Sequence, residues 1–581
     1  MFVSYLIIFV IIFIRCIVCL HMKASKKKNV STTQTAGSFS IPKPMLWLIL
    51  AAFIVYAPTL QLGFTDLDDT IFIRDMRSYT SDPSNLLTSF TRGVFHVTND
   101  TYYRPMFLNA MILNYQLSGE NIAGYHFFNI LLHIGAVLLL FQLLLKLDIP
   151  KTHAFLLALL FAVHPVLTQA VTWIPGRNDT LMAIFVLAFF YQSLSYAAHV
   201  KKSSLIWVVL FLLLALFTKE TALFAAPAAF ILLVLAKSYR WNDRKLLILY
   251  ASWVVSIFVY LGVRASASLA HTQLAPVELM QDFISRLPLI IQYLGKIFFP
   301  FNLSVFPVME DTVYYYGIAA ILFIGVITYL ARPIQNKRYW AGILFFLIFL
   351  VPILMVPRSM NEQTFEHRLY LPIIGILLML PETILLKNNL APSRLVLFFS
   401  LVAVVFAALN YRHQPHFKDA ISFWEQAYET SPHSAYAVMM YGARVSDKQH
   451  GFALMREAYR LNPDEKYLNY YYGVMLQEQD SIIESEPYLL KEKNGSGYYQ
   501  CDFYLAKVAY YKKDLQGSIN YLESYLKADP THTIANNNLL LLYMETGQKQ
   551  KAREQSKKMG SMGLSIPAVT RQQIERMPDT P

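Results

Sequence analysis

Asp66, Asp68 and Asp69, in the stretch LGFTDLDDTIFIRD (62–75), stand within four positions of one another directly after a long apolar run. Carboxylates this close raise one another's proton affinity unless a cation or metal is near, which suits one of them to act as a general base. A solvated loop with no chemical role is the plainer reading. Asp66-x-Asp68 could also ligate a divalent ion, so a metal cofactor stays open. Further along stand Arg104 in YYRPM, then His126, Asn129 and His133 on one helical face. His164, Arg177 and Asp179 follow in HPVLTQAVTWIPGRNDT, Lys219 and Glu220 in KET, and Glu366, His367, Arg368 and Tyr370 in EHRLYLP. Several fixed cations are what a phosphate or pyrophosphate leaving group needs, because Arg binds two oxygens at once and Lys adds a point charge. An acid that deprotonates a hydroxyl, set opposite such cations, describes glycosyl transfer from a lipid phosphate. His126 and His133 lie about 10 Å apart along a helix, too far to share one metal. His133 therefore reads as packing or a helix–helix hydrogen bond, and His126 as a substrate contact.

The elements that must position these groups are membrane helices. The chain has 581 residues, 55% of them hydrophobic and 15% charged, too apolar for a soluble protein of this length. Spanning-length apolar runs occur at 45–60, 123–146, 154–171, 180–198, 203–217, 221–236, 246–263, 313–331, 340–356, 369–386 and 394–410, giving about eleven spans. The run near 287–300 holds Lys296 and reads as an interfacial or re-entrant helix. A further run at 4–20 precedes Met22 and the Lys-rich MKASKKK; it reads as a mis-called extension, an additional span or an uncleaved signal anchor. The net charge of +12 comes from Lys and Arg spread through short loops, which sets topology and argues against a nucleic-acid partner. With KASKKK inside, alternation places every unusual polar cluster, and all that follows residue 410, on the exported face. Cys16, Cys19 and Cys501 offer no intramolecular disulfide in the exposed regions.

From about Lys418 the composition becomes soluble and Tyr-rich. Pro432, Pro463 and Pro530 are spaced by close to one and then two units of about 34 residues, the tetratricopeptide period. About four repeats are expected, the third degraded around Pro487 and KEKNGSG. Such repeats stack into a concave solenoid that binds a protein or peptide; a plain helical cap is the alternative.

The order of these motifs, from the acidic pair through YYRPM, GYHFFNILLH, HPVLTQAVTWIPGRND, KET and EHRLYLP to FKDAISFWEQAYETSP and the repeats, resembles the transmembrane and tetratricopeptide-repeat-containing O-mannosyltransferases and their bacterial relatives. These are glycosyltransferases of the GT-C superfamily, and the resemblance covers nearly the whole chain after about residue 45. It implies Asp68 and Asp69 as catalytic residues and Arg104, Arg177, Lys219 and Arg368 as ligands of the donor phosphate. Asp66, His126, His164, Asp179, Glu220, Glu366, His367 and Tyr370 would make other substrate contacts. Two departures stand out: Gln169 replaces a common acid, and His367 interrupts the usual Glu-Arg pair.

The expected fold is all-α. An N-terminal segment (1–44) leads into a GT-C-like polytopic membrane domain (45–412), a tetratricopeptide-repeat solenoid (413–565) and a tail (566–581). The expected function is transfer of mannose or another hexose, with inversion, from a polyprenyl-phosphate carrier to a protein or glycan acceptor. The bacterial inner membrane with periplasmic repeats fits, and the endoplasmic-reticulum membrane with lumenal repeats has the same topology. The competing readings are a membrane-anchored scaffold without activity and a flippase or transporter of lipid-linked sugars.

Overall fold

The computed structural model describes residues 41–95, 101–267, 269, 276–332, 337–356, 362–387 and 391–576. The apolar run at 4–20 and the Lys-rich start lie outside the described residues. Within them the backbone is helical, and Val308 and Gln363 form an isolated antiparallel bridge. The all-α expectation holds.

All eleven apolar runs from residue 45 onward form helices, but they differ in reach. Six are long and apolar enough to cross a bilayer: Pro44–Gln61, Ile122–Lys146, Ile174–His199, Arg244–Ala265, Lys337–Leu354 and Pro392–Phe417. The run at 154–171 is a bent pair, Lys151–Val163 and Pro165–Thr172, with 49° between them. Lys202–Thr218, Glu220–Ala236, Tyr315–Tyr329 and Pro372–Glu382 are apolar and shorter. Among the described residues, the expected eleven spans therefore become six by length, or seven with the bent pair. The reason is that an apolar run need not be one helix. Pro165 breaks the ladder after His164, and Lys219, extended at φ −157° and ψ 135°, separates two helices that hydropathy alone would nearly join.

The chain divides into two compact units, Met1–Gln426 and Ala427–Pro581. In the first, helix Ile122–Lys146 packs against Lys151–Val163 and Arg177–His199, and the latter against Lys202–Thr218. Lipid offers no hydrophobic gain for helix association, so close backbone approach and polar links carry it. At the crossing of Lys337–Leu354 with Pro372–Met379, a Cβ on Gly342 would meet Gly375 O at 2.6 Å, and one on Gly375 would meet Gly342 O at 2.5 Å. That crossing fixes the helix that follows the EHRLYLP turn. Polar links add to it: His133 Nδ1 lies 2.7 Å from Tyr370 Oη, and Asn410 Nδ2 donates to Tyr56 Oη at 2.8 Å.

Residues 414–426, which composition assigns to the C-terminal module, belong to the first unit. Lys418 O accepts from Gly63 N at 2.7 Å, Trp424 Nε1 donates to Thr65 O at 3.0 Å, and Gln426 bonds Val305 N and Leu303 O. Soluble composition here conceals a segment that ties down the first loop.

The second unit is a succession of short helices that pack pairwise: Ala435–Gly442 with Lys448–Leu461, Leu468–Glu478 with Glu486–Ser496, Gln500–Tyr511 with Leu515–Ala528, and Thr533–Glu545 with Lys549–Ser561. Ser434, Asp447 and Asp514 cap three of these helices through their side-chain oxygens. KEKNGSG does not interrupt the succession, since Pro487 sits in the first turn of its helix, where no donor is lost, and Gly497 ends it at φ +69°. Cys501 is buried and free.

Candidate functional site

Asp69 is 1% exposed and held from its own loop. Its Oδ2 accepts from Thr65 N at 2.7 Å and from Thr65 Oγ1 at 2.9 Å, while Oδ1 accepts from Thr70 N at 3.0 Å. The loop can close this way because Asp66 takes a left-handed backbone at φ +53°, a conformation Asp tolerates better than most residues. Trp424 and Lys418 pin the same loop from outside, through Thr65 O and Gly63 N. Asp68, beside Asp69, is partly accessible. Desolvation pushes its carboxyl up to about 7, with the Asp69 charge adding and Arg104 opposing. Asp69 is pushed up to about 6, again by desolvation, against the hydrogen bonds from Thr65 and Thr70. Two carboxylates therefore titrate near neutrality, the range a general base requires.

Arg104 and Lys219 are not bare cations. Arg104 binds Glu220 at two points, Nε–Oε2 at 3.1 Å and Nη2–Oε1 at 2.6 Å, and lies over the Tyr102 ring. Lys219 Nζ binds both oxygens of Asp179, at 2.7 and 2.8 Å. Because Lys219 and Glu220 are neighbours in sequence, the two pairs form a balanced cluster of four charges. Asp179 suits its place in the first turn of helix Arg177–His199, at the positive end of the helix dipole. Arg368 is partly accessible, donates to Gln363 O at 3.0 Å and has no carboxylate partner among the described residues.

The other residues expected as substrate contacts are buried and bound within the fold to differing degrees. Arg177 is fully buried; its Nε donates to Asn129 Oδ1 and its Nη2 to Tyr125 O, both at 3.0 Å, between the Tyr125 and Phe128 rings. Asn129 in turn donates toward the Val171, Trp173 and Ile174 carbonyls, so Arg177 braces the turn before its own helix. Gly176 is needed there, since a Cβ would meet Gln169 O at 2.7 Å. His164 accepts from Val166 N and faces Ile297 O, capping the bent pair. His126 is buried beside the Leu62 and Thr172 carbonyls. Glu366 is 0% exposed and paired with Lys296, and Tyr370 is bound to His133. His164, Arg177, Glu366 and Tyr370 thus each bind another part of the fold, while Arg177 Nη1, Glu366 Oε2 and both His126 ring nitrogens are buried without a hydrogen-bond partner among the described residues.

The two departures from the family pattern touch each other: Gln169 Oε1 accepts from His367 N at 3.2 Å and lies 3.0 Å from His367 Nδ1. Motif reading also missed Thr65, Trp424 and Lys296. Only Lys296 left a signal, a charge inside an apolar run that calls for a buried partner. Among the described residues no group of three or more His, Cys, Asp or Glu gathers as a metal cage.

Residues 104–262 match the family model described as dolichyl-phosphate-mannose-protein mannosyltransferase. Within that segment lie Arg104, His126, His164, Arg177, Asp179, Lys219 and Glu220; the acidic loop and EHRLYLP lie outside it. The chain is also similar to named O-mannosyltransferases, in agreement with the resemblance read from the motifs. Protein O-mannosyl-transferase Tmtc1 of Drosophila melanogaster is 33% identical over 202 residues, which cover 33% of this chain and 23% of that protein. Protein O-mannosyl-transferase TMTC3 of Mus musculus is 36% identical over 172 residues, 28% of this chain and 18% of that protein. The chain thus matches less than a quarter of the length of either relative. The crystal structure of an Archaeoglobus fulgidus oligosaccharyltransferase tethered to an acceptor peptide superposes with a TM-score of 0.36 at 12% identity, over 71% of this chain and 58% of that one.

Proposed function

We propose that this protein is a GT-C-type membrane glycosyltransferase that moves a hexose, mannose in the first instance, from a polyprenyl-phosphate carrier to a protein or glycan acceptor on the exported side of its membrane. One observation carries the reading: Asp69 is buried and held by three hydrogen bonds from Thr65 and Thr70 in a pinned loop, with Asp68 beside it partly accessible and desolvation raising both carboxyls. A carboxylate in that state can take the proton of an acceptor hydroxyl as its oxygen attacks the anomeric carbon. The departing polyprenyl phosphate takes the bonding electrons, and direct displacement inverts the centre. Arg368, a partly accessible cation without a carboxylate partner among the described residues, receives the phosphate. Arg104 and Lys219, neutralised by Glu220 and Asp179, set the field around it. The match of residues 104–262 to a mannosyltransferase family model and the similarity to named O-mannosyltransferases support the sugar and the acceptor class.

The pairwise packing of short helices in the second unit supports a tetratricopeptide-repeat reading, and in it they present the acceptor. The test is transfer of label from a radiolabelled polyprenyl-phosphate mannose into protein, using membranes that contain the protein together with periplasmic or lumenal extract. Transfer above that of empty membranes supports the reading. Transfer equal to empty membranes with a panel of hexose donors, the protein being folded, points to the scaffold.

A further inference from the structure

The orientation of Gln169 is decided twice over. Its Nε2 donates to Val305 O at 2.9 Å, a group that can only accept, and its Oε1 accepts from His367 N at 3.2 Å, a group that can only donate. The same Oε1 lies 3.0 Å from His367 Nδ1. That nitrogen must therefore carry the proton, and in the neutral ring Nε2 carries the lone pair. Burial, with the charges of Lys219, Arg368 and Arg104, holds the imidazole well below its usual pKa, so the ring is neutral.

Nε2 faces Asp179 Oδ2 across 3.9 Å, beyond hydrogen-bond reach. The Asp179 carboxylate is already bound by Lys219 through both oxygens and stays an acceptor. A lone-pair nitrogen and a carboxylate oxygen, both acceptors, thus stand 3.9 Å apart beside the Lys219 ammonium. Adjacent hydroxyls on a sugar ring bring one donor proton to each. Phe365 stacks on the His367 ring at 5.1 Å and Trp173 lies 5.6 Å from it, which fixes the plane of the imidazole and the direction of Nε2.

We propose that His367 Nε2 and Asp179 Oδ2 form a hydroxyl-reading pair in the donor-sugar subsite, each accepting a hydrogen bond from one of two vicinal hydroxyls of the transferred pyranose. Gln169 is the positioning residue that sets the imidazole tautomer. The proposal rests on the glycosyltransferase reading and assigns that site its sugar contact.

The experiment uses the full chain in lipid nanodiscs with polyprenyl-phosphate mannose and its 2-, 3- and 4-deoxy analogues as donors. Wild type is compared with His367→Ala and Gln169→Glu. Wild type loses roughly tenfold or more in kcat/KM when the hydroxyl read by His367 is removed. His367→Ala loses a similar factor with the intact donor, mostly in KM, and loses nothing further with that deoxy donor. Gln169→Glu places a carboxylate against the ring, which favours the protonated imidazole and turns Nε2 into a donor. Its discrimination therefore falls at neutral pH and returns as pH rises, a readout a packing role would not move.

A folded His367→Ala variant that discriminates deoxy donors as wild type does overturns the proposal. So does a Gln169→Glu variant with unaltered discrimination across pH, which keeps the test decisive if His367→Ala does not fold. Coupling of His367 to a deoxy acceptor glycan instead overturns the donor assignment. Wild type that turns over no hexose donor overturns the glycosyltransferase reading itself, a result distinct from turnover without coupling.

Discussion

Lys296 and Glu366 meet with Nζ and Oε1 2.5 Å apart, their side chains 1% and 0% exposed, and Ser304 N donates to the same oxygen at 2.8 Å. The pair joins helix Leu289–Phe298 to the turn that carries His367 and Arg368. Removing one partner leaves an uncompensated buried charge at a cost of about 3–5 kcal/mol, while removing both is close to neutral. Lys296→Met and Glu366→Met are each expected to lower the apparent unfolding temperature sharply in detergent, and the double variant to recover most of it. Equal losses in all three would show that the pair is not coupled.

The Asp68 and Asp69 shifts give the pH dependence a definite sign. Both carboxyls are raised from 3.8, to about 7 and about 6, chiefly by desolvation. A raised carboxyl binds its proton more tightly in the folded state. Its contribution to stability is therefore fully present below about pH 4 and is lost as pH rises through 6 to 7. Activity runs the other way, because the base must be ionised. Turnover is expected to rise between about pH 6 and 7 while the unfolding temperature falls across the same window. Asp68→Asn should flatten the stability change and abolish turnover.

Thr65 ties this chemistry to the rest of the first unit, since it donates twice to Asp69 and accepts from Trp424. Thr65→Val removes one bond to the ionised carboxylate and should move the acid limb of the pH–rate profile upward. Trp424→Phe leaves the Thr65 carbonyl short of a partner. It should cost on the order of 1 kcal/mol in stability and lower kcat with little change in KM. A profile unmoved by Thr65→Val would separate Asp69 from the titration that controls turnover.

Arg368 and Tyr370 lie two residues apart and should behave differently. Arg368→Ala removes a charged contact to the donor phosphate and should raise KM for the lipid donor roughly ten- to a hundredfold. Tyr370→Phe breaks the bond to His133 and should lower stability by about 1 kcal/mol with KM unchanged. Measured donor KM values for the two variants decide the assignment.

Much of this was legible in the sequence because membrane helices announce themselves by composition and the charges between them stand out. Asp68, Asp69, Arg104, Asp179, Lys219 and Glu220 are found from their types and order. What the order does not carry is pairing: Arg104 with Glu220 spans 116 residues, and Lys296 with Glu366 spans 70. A polar residue in an apolar run reads alike whether it meets substrate or another helix, and the sequence does not show that His164, Arg177 and Tyr370 bind Ile297, Asn129 and His133. Span number failed for a related reason, since hydropathy counts residues and helices end where Pro165 and Lys219 stop them. Gln169 and His367, each an isolated departure in sequence, are one hydrogen-bonded unit in space.

The most direct measurement is release of polyprenyl phosphate from radiolabelled polyprenyl-phosphate mannose by the full-length protein in membranes, with and without acceptor extract. Wild type is compared with Asp68→Asn and Asp69→Asn. Acceptor-dependent release by wild type, lost in Asp68→Asn and at least strongly reduced in Asp69→Asn, is the predicted result. Release by both variants at the wild-type rate would contradict the assignment of the acidic loop as the catalytic base.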